Sequence, residues 1–278
     1  MTSVKDCLKG IKKRMRTLLI PYIIWNLVFV GWYAVLAITP GISQFVNSNI
    51  LGHLSVDHPL DSLRYLFMEP AGFHLWFLRD LIIYVMCTPL LYLMGKRFPI
   101  VSFFILLAVF GGFQRSGITY YFLGAVVSQR LGIAKFNTFF PNSIIVLFGF
   151  LFVANCVMAT IPSCAIMVDN PYFQKLVNLS GIFFIWSLYD SLYKFDSSSN
   201  ARRTLLLVSR FSFFIYLFHE PAFNIIKKIT LRLVGVGGTQ LVFLYFFNPI
   251  AMCIIAVGIG VLFHRTFPKL YSVCVGGR

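Results

Sequence analysis

The chain has 278 residues, of which 58% are apolar, 17% aromatic and only 12% charged, and its mean hydropathy is +0.81. Soluble domains average roughly 45–50% apolar and 25% charged residues. The composition therefore excludes an ordinary soluble globular domain, a disordered chain and a coiled coil. It is typical of a protein whose solvent is lipid.

The net charge of +15 comes from 24 Lys and Arg residues against 9 Asp and Glu residues. The basic residues stand in short clusters between apolar runs, which is the pattern expected of cytoplasmic loops in membrane proteins. We interpret the charge as a signature of topology and predict no nucleic acid as a partner. The six cysteines show neither a CxxC motif nor paired spacing, so we predict no disulfide framework and no metal site.

Apolar runs that could cross a bilayer, which takes roughly 20 residues, recur along the chain. Eight runs predict transmembrane helices: 18–38, 74–94, 98–113, 117–129, 143–161, 176–193, 204–226 and 239–263. The runs are continuous rather than alternating, which indicates helices and not the strands of a membrane barrel. We therefore predict an all-α, polytopic helix bundle of the cell membrane, with residues 1–278 forming a single domain.

The distribution of Lys and Arg predicts the orientation of these spans. With the N-terminus inside, the inner segments hold 17 Lys and Arg residues, the outer segments hold 6, and Arg79 lies within a span. Both termini are therefore predicted to be cytoplasmic. The long connection 39–73 is predicted to lie outside, and connections of this length are usually functional lids or disordered segments.

The second predicted span begins with the sequence HLWFLRD, residues 74–80. Ionisable residues within a span cost free energy and mark functional sites. We predict His74 near the outer interface as a proton carrier or substrate-binding residue, with Trp76 beside it. Arg79 and Asp80 would be a buried pair that holds the site. The alternative is an interfacial His-Trp anchor and a structural ion pair between helices.

The seventh predicted span contains Tyr216, His219, Glu220 and Pro221. It runs from inside to outside, so His219 is predicted in its outer half, at the same level as His74. An imidazole beside a carboxylate is a workable acid–base pair. The alternative is an interfacial pair that simply meets water.

A third group, Lys12, Lys13, Arg14 and Arg16, precedes the first predicted span on the cytoplasmic side. Such a cluster can fix topology and contact lipid phosphates. It can also bind the phosphates of a donor such as a coenzyme A ester.

Three segments of the chain resemble acyltransferase family 3 of integral-membrane proteins. Residues 13–22 (KRMRTLLIPY) are similar to that family's RxxRLLxPY segment, 74–78 to its HLWFL segment and 214–219 to its late IYLxH segment. Their order and spacing also fit. The resemblance implies a membrane O-acyltransferase without a permanently bound cofactor. Acetyl-CoA, or another acyl-CoA, would be the donor, and a cell-surface glycan or lipid-linked sugar would be the acceptor.

Members of that family typically have two further spans before the RxxRLLxPY segment, and the first of these carries an Arg and a His proposed as the core of the active site. Here the segment begins near residue 14. We therefore expect this chain to lack the counterpart of those two helices.

Together, the residues and the resemblance predict an acyltransferase whose partners are the bilayer, acyl-CoA and the acceptor sugar. The predicted site has three parts: catalytic His74, His219 and Glu220; substrate-binding Trp76, Arg79, Asp80 and Tyr216; and donor-binding Lys12, Lys13, Arg14 and Arg16. A transporter or flippase of a polysaccharide precursor is one alternative, since it shares the hydrophobic chain and the buried charges. An inactive truncated acyltransferase is the other.

Overall fold

The computed structural model describes residues 4–39, 59–112, 117–130, 142–158, 162–195, 206–235 and 237–277. Within these ranges every regular element is helical, which confirms the all-α prediction. The α-helices are α1 Val4–Ile38, α2 Pro59–Met68, α3 Trp76–Arg97, α4 Pro99–Phe110, α5 Ile118–Arg130, α6 Asn142–Met158, α7 Ala165–Val168, α8 Pro171–Phe195, α9 Ser212–Val234, α10 Gly238–Thr266 and α11 Pro268–Cys274. Two 3-10 helices lie at Phe73–Leu75 and Pro162–Cys164.

Each of the eight predicted spans overlaps one α-helix, in chain order α1, α3, α4, α5, α6, α8, α9 and α10. Three stretches are long and apolar enough to cross a membrane by length and composition: Gly10–Ile38, Phe73–Arg97 and Phe243–Thr266. Two further apolar helical stretches are shorter, Pro99–Phe110 and Val146–Asn155. A membrane helix bundle agrees with these features.

The ends of the helices differ from the ends of the predicted spans. Helix α1 begins at Val4 rather than at residue 18, and α9 covers Ser212–Val234 rather than 204–226. Hydropathy marks the part of a helix that suits lipid, whereas backbone hydrogen bonding continues through charged turns. Helix α9 therefore includes Lys227 and Lys228 and ends only at Gly235, whose φ of +87° favours glycine.

The predicted outer connection 39–73 contains regular structure. Its last part holds α2 and the 3-10 helix Phe73–Leu75, while residues 40–58 lie outside the described part of the chain. Helix α2 has only 10 residues and begins with Pro59, a favourable residue in a first helical turn. A search for apolar runs of transmembrane length therefore does not detect this helix.

Two compact units make up the chain. The first combines Met1–Ile11 with Tyr84–Arg202, and the second combines Lys12–Ile83 with Arg203–Arg278. In the first unit α4 packs against α5 and α6 packs against α8. Its core cluster is formed by Leu91, Leu106 and Phe122.

Small residues allow α6 and α8 to approach each other closely, as is common between membrane helices. A Cβ atom at Gly149 would lie 2.7 Å from the ring of Phe184, and one at Gly181 would lie 2.9 Å from the ring of Phe152. Each helix therefore receives an aromatic ring of the other at a glycine.

In the second unit α9 packs against α10, and α10 packs against α11. The C-terminal segment also contacts α1, because the indole Nε1 of Trp25 donates a hydrogen bond of 3.2 Å to the carbonyl oxygen of Cys274. Gly276, with φ of +72°, lies against the backbone of Thr17. This unit contains the two histidines that the sequence placed at a common level.

Candidate active site around two histidines

The candidate site is built on the turn between α2 and α3, whose backbone groups form hydrogen bonds with side chains of α1 and α3. The last carbonyl groups of a helix lack partners within the helix. At the end of α2, the hydroxyl of Tyr22 lies 2.9 Å from the carbonyl oxygen of Leu66 and 3.0 Å from that of Phe67, and it donates to this pair. Tyr22 itself is buried in the core.

Arg79 completes the same helix end. Its Nη1 donates a hydrogen bond to the carbonyl oxygen of Met68, the last residue of α2. Its Nε and Nη2 donate to Oδ1 of Asp80 at 2.9 and 2.8 Å. A cation at the C-terminus of a helix is stabilised by the helix dipole. Arg79 and Asp80 thus pair as neighbours on α3, and Arg79 also caps α2.

Asn26 of α1 satisfies the next part of the turn. Its Oδ1 accepts the N–H of Ala71 at 2.8 Å, and its Nδ2 donates to the carbonyl oxygen of Tyr22 at 2.8 Å. Asn26 is 3% exposed. Irregular backbone at membrane depth is tolerated where protein groups satisfy it, and this asparagine meets that condition.

His74 follows in the 3-10 helix and packs against α1. Its ring meets the ring of Phe29 edge to face, with the centroids 5.3 Å apart. The approach depends on Gly72, since a Cβ atom there would lie 2.6 Å from the Phe29 ring and 3.1 Å from Cε1 of His74. The glycine therefore lets the turn bring the imidazole onto α1.

Helix α9 holds His74 from the other side. The hydroxyl of Tyr216 donates to the backbone carbonyl oxygen of His74 at 2.7 Å, and Nε2 of His74 lies 3.1 Å from the carbonyl oxygen of Leu217. A carbonyl oxygen can only accept, so Nε2 carries the proton in this contact. In the neutral ring, Nδ1 is then the basic nitrogen.

That basic nitrogen faces the other two predicted catalytic residues. His74 is 6% exposed, and its buried Nδ1 has no hydrogen-bond partner. Oε2 of Glu220 lies 3.8 Å from this atom, and the ring of His219 lies 4.8 Å from the His74 ring, centroid to centroid. The two histidines, which the sequence predicts at a common level, therefore lie side by side.

Glu220 approaches a different imidazole from the one that the sequence suggested. Its Oε2 faces His74, while its Oε1 accepts a hydrogen bond of 2.9 Å from Asn224 on the next turn of α9. His219 instead has Nδ1 2.7 Å from the carbonyl oxygen of Tyr216, so this nitrogen donates and Nε2 is the basic one. Adjacent helical residues point about 100° apart, which explains why the neighbours in sequence have separate partners.

The packing of His74 locates the site along α1. Its ring contacts Phe29. Helix α1 continues beyond Phe29 to Ile38, a further rise of roughly 13 Å at 1.5 Å per residue. The two histidines therefore lie well inside the length of α1.

The remaining predicted residues lie around or away from this centre. Trp76 is the first residue of α3 and packs edge to face on Phe77, whose ring lies 6.0 Å from that of Tyr216. The donor-binding candidates Lys12, Lys13, Arg14 and Arg16 are exposed on α1. Arg16 and Phe29 are separated by roughly 20 Å along the helix, so the basic cluster is not part of the histidine site.

The sequence reasoning missed the residues that hold His74 in place: Tyr22, Asn26, Phe29 and Gly72. The first three carry a signal in their spacing, because steps of four and three residues place them on one face of α1. Asn26 in the middle of an apolar run was the clearest hint. Among the described residues, no group of three or more His, Cys, Asp or Glu side chains is arranged to hold a metal ion.

Comparison with known proteins identifies the kind of protein that carries this site. The acyltransferase domain of acyltransferase family 3 matches residues 1–265. The chain belongs to this family. The resemblance of the three short segments is thereby confirmed, and the family together with the long apolar helices makes the chain a membrane protein.

The chain is also similar to the succinoglycan biosynthesis protein ExoH of Rhizobium meliloti (strain 1021). The two are 26% identical over 288 aligned positions, which cover 98% of this chain and 73% of that protein. No solved structure matches the chain. The family member described here is therefore related to a protein of polysaccharide biosynthesis.

Proposed function

We propose that this protein transfers an acyl group, acetyl in the first instance, from acyl-CoA to a hydroxyl of a cell-surface glycan or lipid-linked sugar. The observation that carries the proposal is the buried Nδ1 of His74, which has no hydrogen-bond partner and faces Glu220. Membership of an acyltransferase family gives such a base a reaction to perform. The similarity to a succinoglycan biosynthesis protein supports a sugar as the acceptor.

In the proposed reaction, Nδ1 of His74 accepts the proton of the sugar hydroxyl as the hydroxyl oxygen attacks the thioester carbonyl carbon. The tetrahedral intermediate collapses with cleavage of the C–S bond. The departing CoA sulfur then takes the proton from His74, which returns to its neutral form. The products are the sugar ester and free CoA, and no other reactant is needed.

Glu220 and His219 support this cycle in different ways. The Glu220 carboxylate lies 3.8 Å from Nδ1, which is too far for a hydrogen bond but near enough to stabilise the positive charge of the protonated ring. His219 offers Nε2 to a second sugar hydroxyl, because its Nδ1 is engaged by the carbonyl of Tyr216. Tyr216 and Arg79 act as positioning residues, since both donate to the backbone of the turn.

The proposal places donor and acceptor on opposite sides of an eight-span membrane domain with both termini in the cytoplasm and the 39–73 segment outside. The exposed cluster of Lys12, Lys13, Arg14 and Arg16 would bind the CoA phosphates on the cytoplasmic face. The flexible pantetheine arm then has to bridge the roughly 20 Å along α1 between Arg16 and Phe29. The acceptor reaches the site from outside.

The test uses membrane vesicles that contain the full chain, radiolabelled acyl-CoA and an acceptor glycan, with acetyl-CoA and succinyl-CoA offered in parallel. We expect His74→Gln to lower kcat by about 100-fold or more, the usual contribution of a general base. Glu220→Gln should lower it less. His264→Gln is the matched control, because His264 packs on Tyr271 and is not part of the site.

If His74→Gln turns over at the wild-type rate, His74 is not the general base. Movement of the glycan across the vesicle membrane with no change in its mass would favour a flippase instead. Acylation by the wild-type chain together with its loss in His74→Gln supports the proposed reaction.

A further inference from the structure

A cavity lies between α9 and α10, and its α9 lining begins one turn after His219, at Phe223. Its volume is about 730 Å³. Apolar side chains form most of its lining, among them Phe223, Leu231, Leu244 and Tyr245. Two polar residues, Lys227 and Asn248, also line it. We refer to it as the α9–α10 cavity.

Helix α10 contributes a proline to the cavity lining. Pro249 stands inside this helix and has no backbone N–H, so the carbonyl group of Tyr245 one turn earlier lacks its helical partner. Both residues line the cavity. Pro249 and a backbone carbonyl group without its usual helical partner therefore lie at the cavity.

The charged residues on α9 beside the cavity are cationic. The sequence from residue 221 to residue 278 contains no Asp or Glu, whereas Lys227, Lys228 and Arg232 stand within two turns of α9. In the eight-span topology this end of α9 lies outside, where the positive-inside rule disfavours Lys and Arg. A cluster of cations at this end of α9 suits an anionic ligand.

The two polar residues in the lining suit a phosphate group. Thr230 connects them, because its hydroxyl lies 3.0 Å from Oδ1 of Asn248 and 3.2 Å from the carbonyl oxygen of Lys227. Lys227 supplies an ammonium group, and the amide of buried Asn248 supplies N–H donors. Phosphate oxygens accept from both groups.

We propose that the α9–α10 cavity binds the lipid phosphate that carries the acceptor sugar, with its hydrocarbon chain against the apolar lining and its phosphate at Lys227 and Asn248. Lys227 lies roughly 12 Å from His219 along α9 at 1.5 Å per residue. A sugar attached to a phosphate at Lys227 can therefore extend along the helix to the histidines. The inference rests on the proposed function and narrows its acceptor to a lipid-linked sugar.

The test measures binding to the full chain in detergent micelles, by native mass spectrometry, without acyl-CoA. The probes are a polyprenyl phosphate sugar, the corresponding uncharged polyprenol and phosphatidylglycerol. We expect Lys227→Gln to weaken binding of the phosphate sugar about tenfold or more, as expected when a hydrogen bond to a charged group is lost. Binding of the polyprenol should not change.

Lys228→Gln is the matched control, because it removes the same charge one residue further along α9 and outside the cavity lining. It should bind the phosphate sugar within a factor of about two of wild type, and thermal unfolding of each variant checks that the fold is intact. Equal binding by Lys227→Gln and wild type would overturn the inference. Phosphatidylglycerol competing as well as the sugar lipid would also overturn it and would assign the cavity to a bilayer lipid.

The outcome is separable from that of the proposed function. Intact binding without acyl transfer would overturn the reaction and keep the lipid site. Acyl transfer to a free glycan without binding of the lipid phosphate would keep the proposed reaction and overturn the lipid site.

Discussion

Each ring nitrogen of His74 has a different task. Nε2–H is held by the carbonyl oxygen of Leu217 at 3.1 Å, which fixes the ring and its tautomer. Nδ1 is then the atom on which chemistry can occur. The same division recurs at His219 with the nitrogens exchanged, since its Nδ1 is the one bound to a carbonyl oxygen. The structure thus presents two basic nitrogens whose orientation is set by backbone groups.

A methyl group added at Gly72 should lower activity because it displaces the ring of His74. We expect Gly72→Ala to lower acyl transfer by about tenfold or more, because its Cβ would lie 2.6 Å from the ring of Phe29 and 3.1 Å from Cε1 of His74. Displacements of about 1 Å in a reacting geometry can cost two orders of magnitude in rate. The measurement is kcat in vesicles at matched protein levels.

Two further variants test whether the loss of activity comes from the close contact between Gly72 and Phe29. Phe29→Leu in the Gly72→Ala background shortens the opposing side chain and should restore part of the activity. Gly31→Ala is the control on α1, since nothing lies within 4 Å of a Cβ atom there, and it should retain wild-type turnover. If Gly72→Ala alone is fully active, the close approach of the turn to α1 is not what positions His74.

Among the elements, α11 and the residues after it stand out because they are anchored to α1. Trp25 donates to the carbonyl oxygen of Cys274, and Gly276 lies where a Cβ atom would overlap the carbonyl oxygen of Thr17. Trp25 also packs on the ring of Phe29 at a centroid distance of 5.9 Å. The C-terminal anchor therefore supports the face of α1 on which His74 rests.

Two neighbouring glycines allow this anchor to be tested. Gly276 and Gly277 have almost the same φ, +72° and +74°, but of the two only Gly276 is close to another segment. Gly277→Ala should cost only the roughly 1–2 kcal/mol of a left-handed alanine. Gly276→Ala adds a steric overlap and should lower the thermal unfolding temperature further.

Thermal unfolding in detergent and protease cleavage of the C-terminal segment are the measurements. Cleavage should become faster in Gly276→Ala than in Gly277→Ala. Equal behaviour of the two variants would mean that only the backbone conformation matters and that the C-terminal segment is not held against α1.

Elements also show which parts of the fold the sequence could predict. Long apolar runs predicted the helices well, because lipid imposes one simple requirement on every residue of a span. Helix α2 was missed, since its ten residues are amphipathic and its position depends on tertiary partners such as Tyr22 and Arg79. The beginning of α1 was missed because charged residues can continue a helix beyond the bilayer.

The sequence predicted the site only in part: it indicated which residues lie near each other but not which side chains are partners. A common depth for His74 and His219 followed from counting spans, and their rings do meet. The partner of Glu220 did not follow, since it depends on how α9 is rotated about its axis. Packing against α1 and the turn before α3 decides that rotation, and hydropathy does not describe it.

At the scale of the whole molecule, the number of complete spans is the open structural prediction. Helices α4 and α5 have only 12 and 13 residues, and a bilayer core takes roughly 20. The eight-span topology nevertheless places their connection outside. A cysteine introduced at Gly112 should therefore react with a membrane-impermeant maleimide added outside intact cells.

A cysteine at Arg130, at the other end of α5, is the matched control and should react only after the membrane is opened. The background is a chain whose own cysteines are replaced by serine and whose activity is retained. Protection of position 112 in intact cells would mean that α4 and α5 form a hairpin that enters and leaves on one side. The topology would then have six spans.

The turn that carries His74 takes its partners from both ends of the chain, which has a consequence for synthesis in the cell. Tyr22 and Asn26 precede their backbone partners by 44 and 45 residues, whereas Leu217 follows His74 by 143. At roughly 5–20 residues per second, a ribosome needs about 7–30 s to reach α9 after it has made His74. During that interval the nascent turn is held on one side only, so an insertase or a chaperone that shields half-finished helices should be needed until α9 arrives.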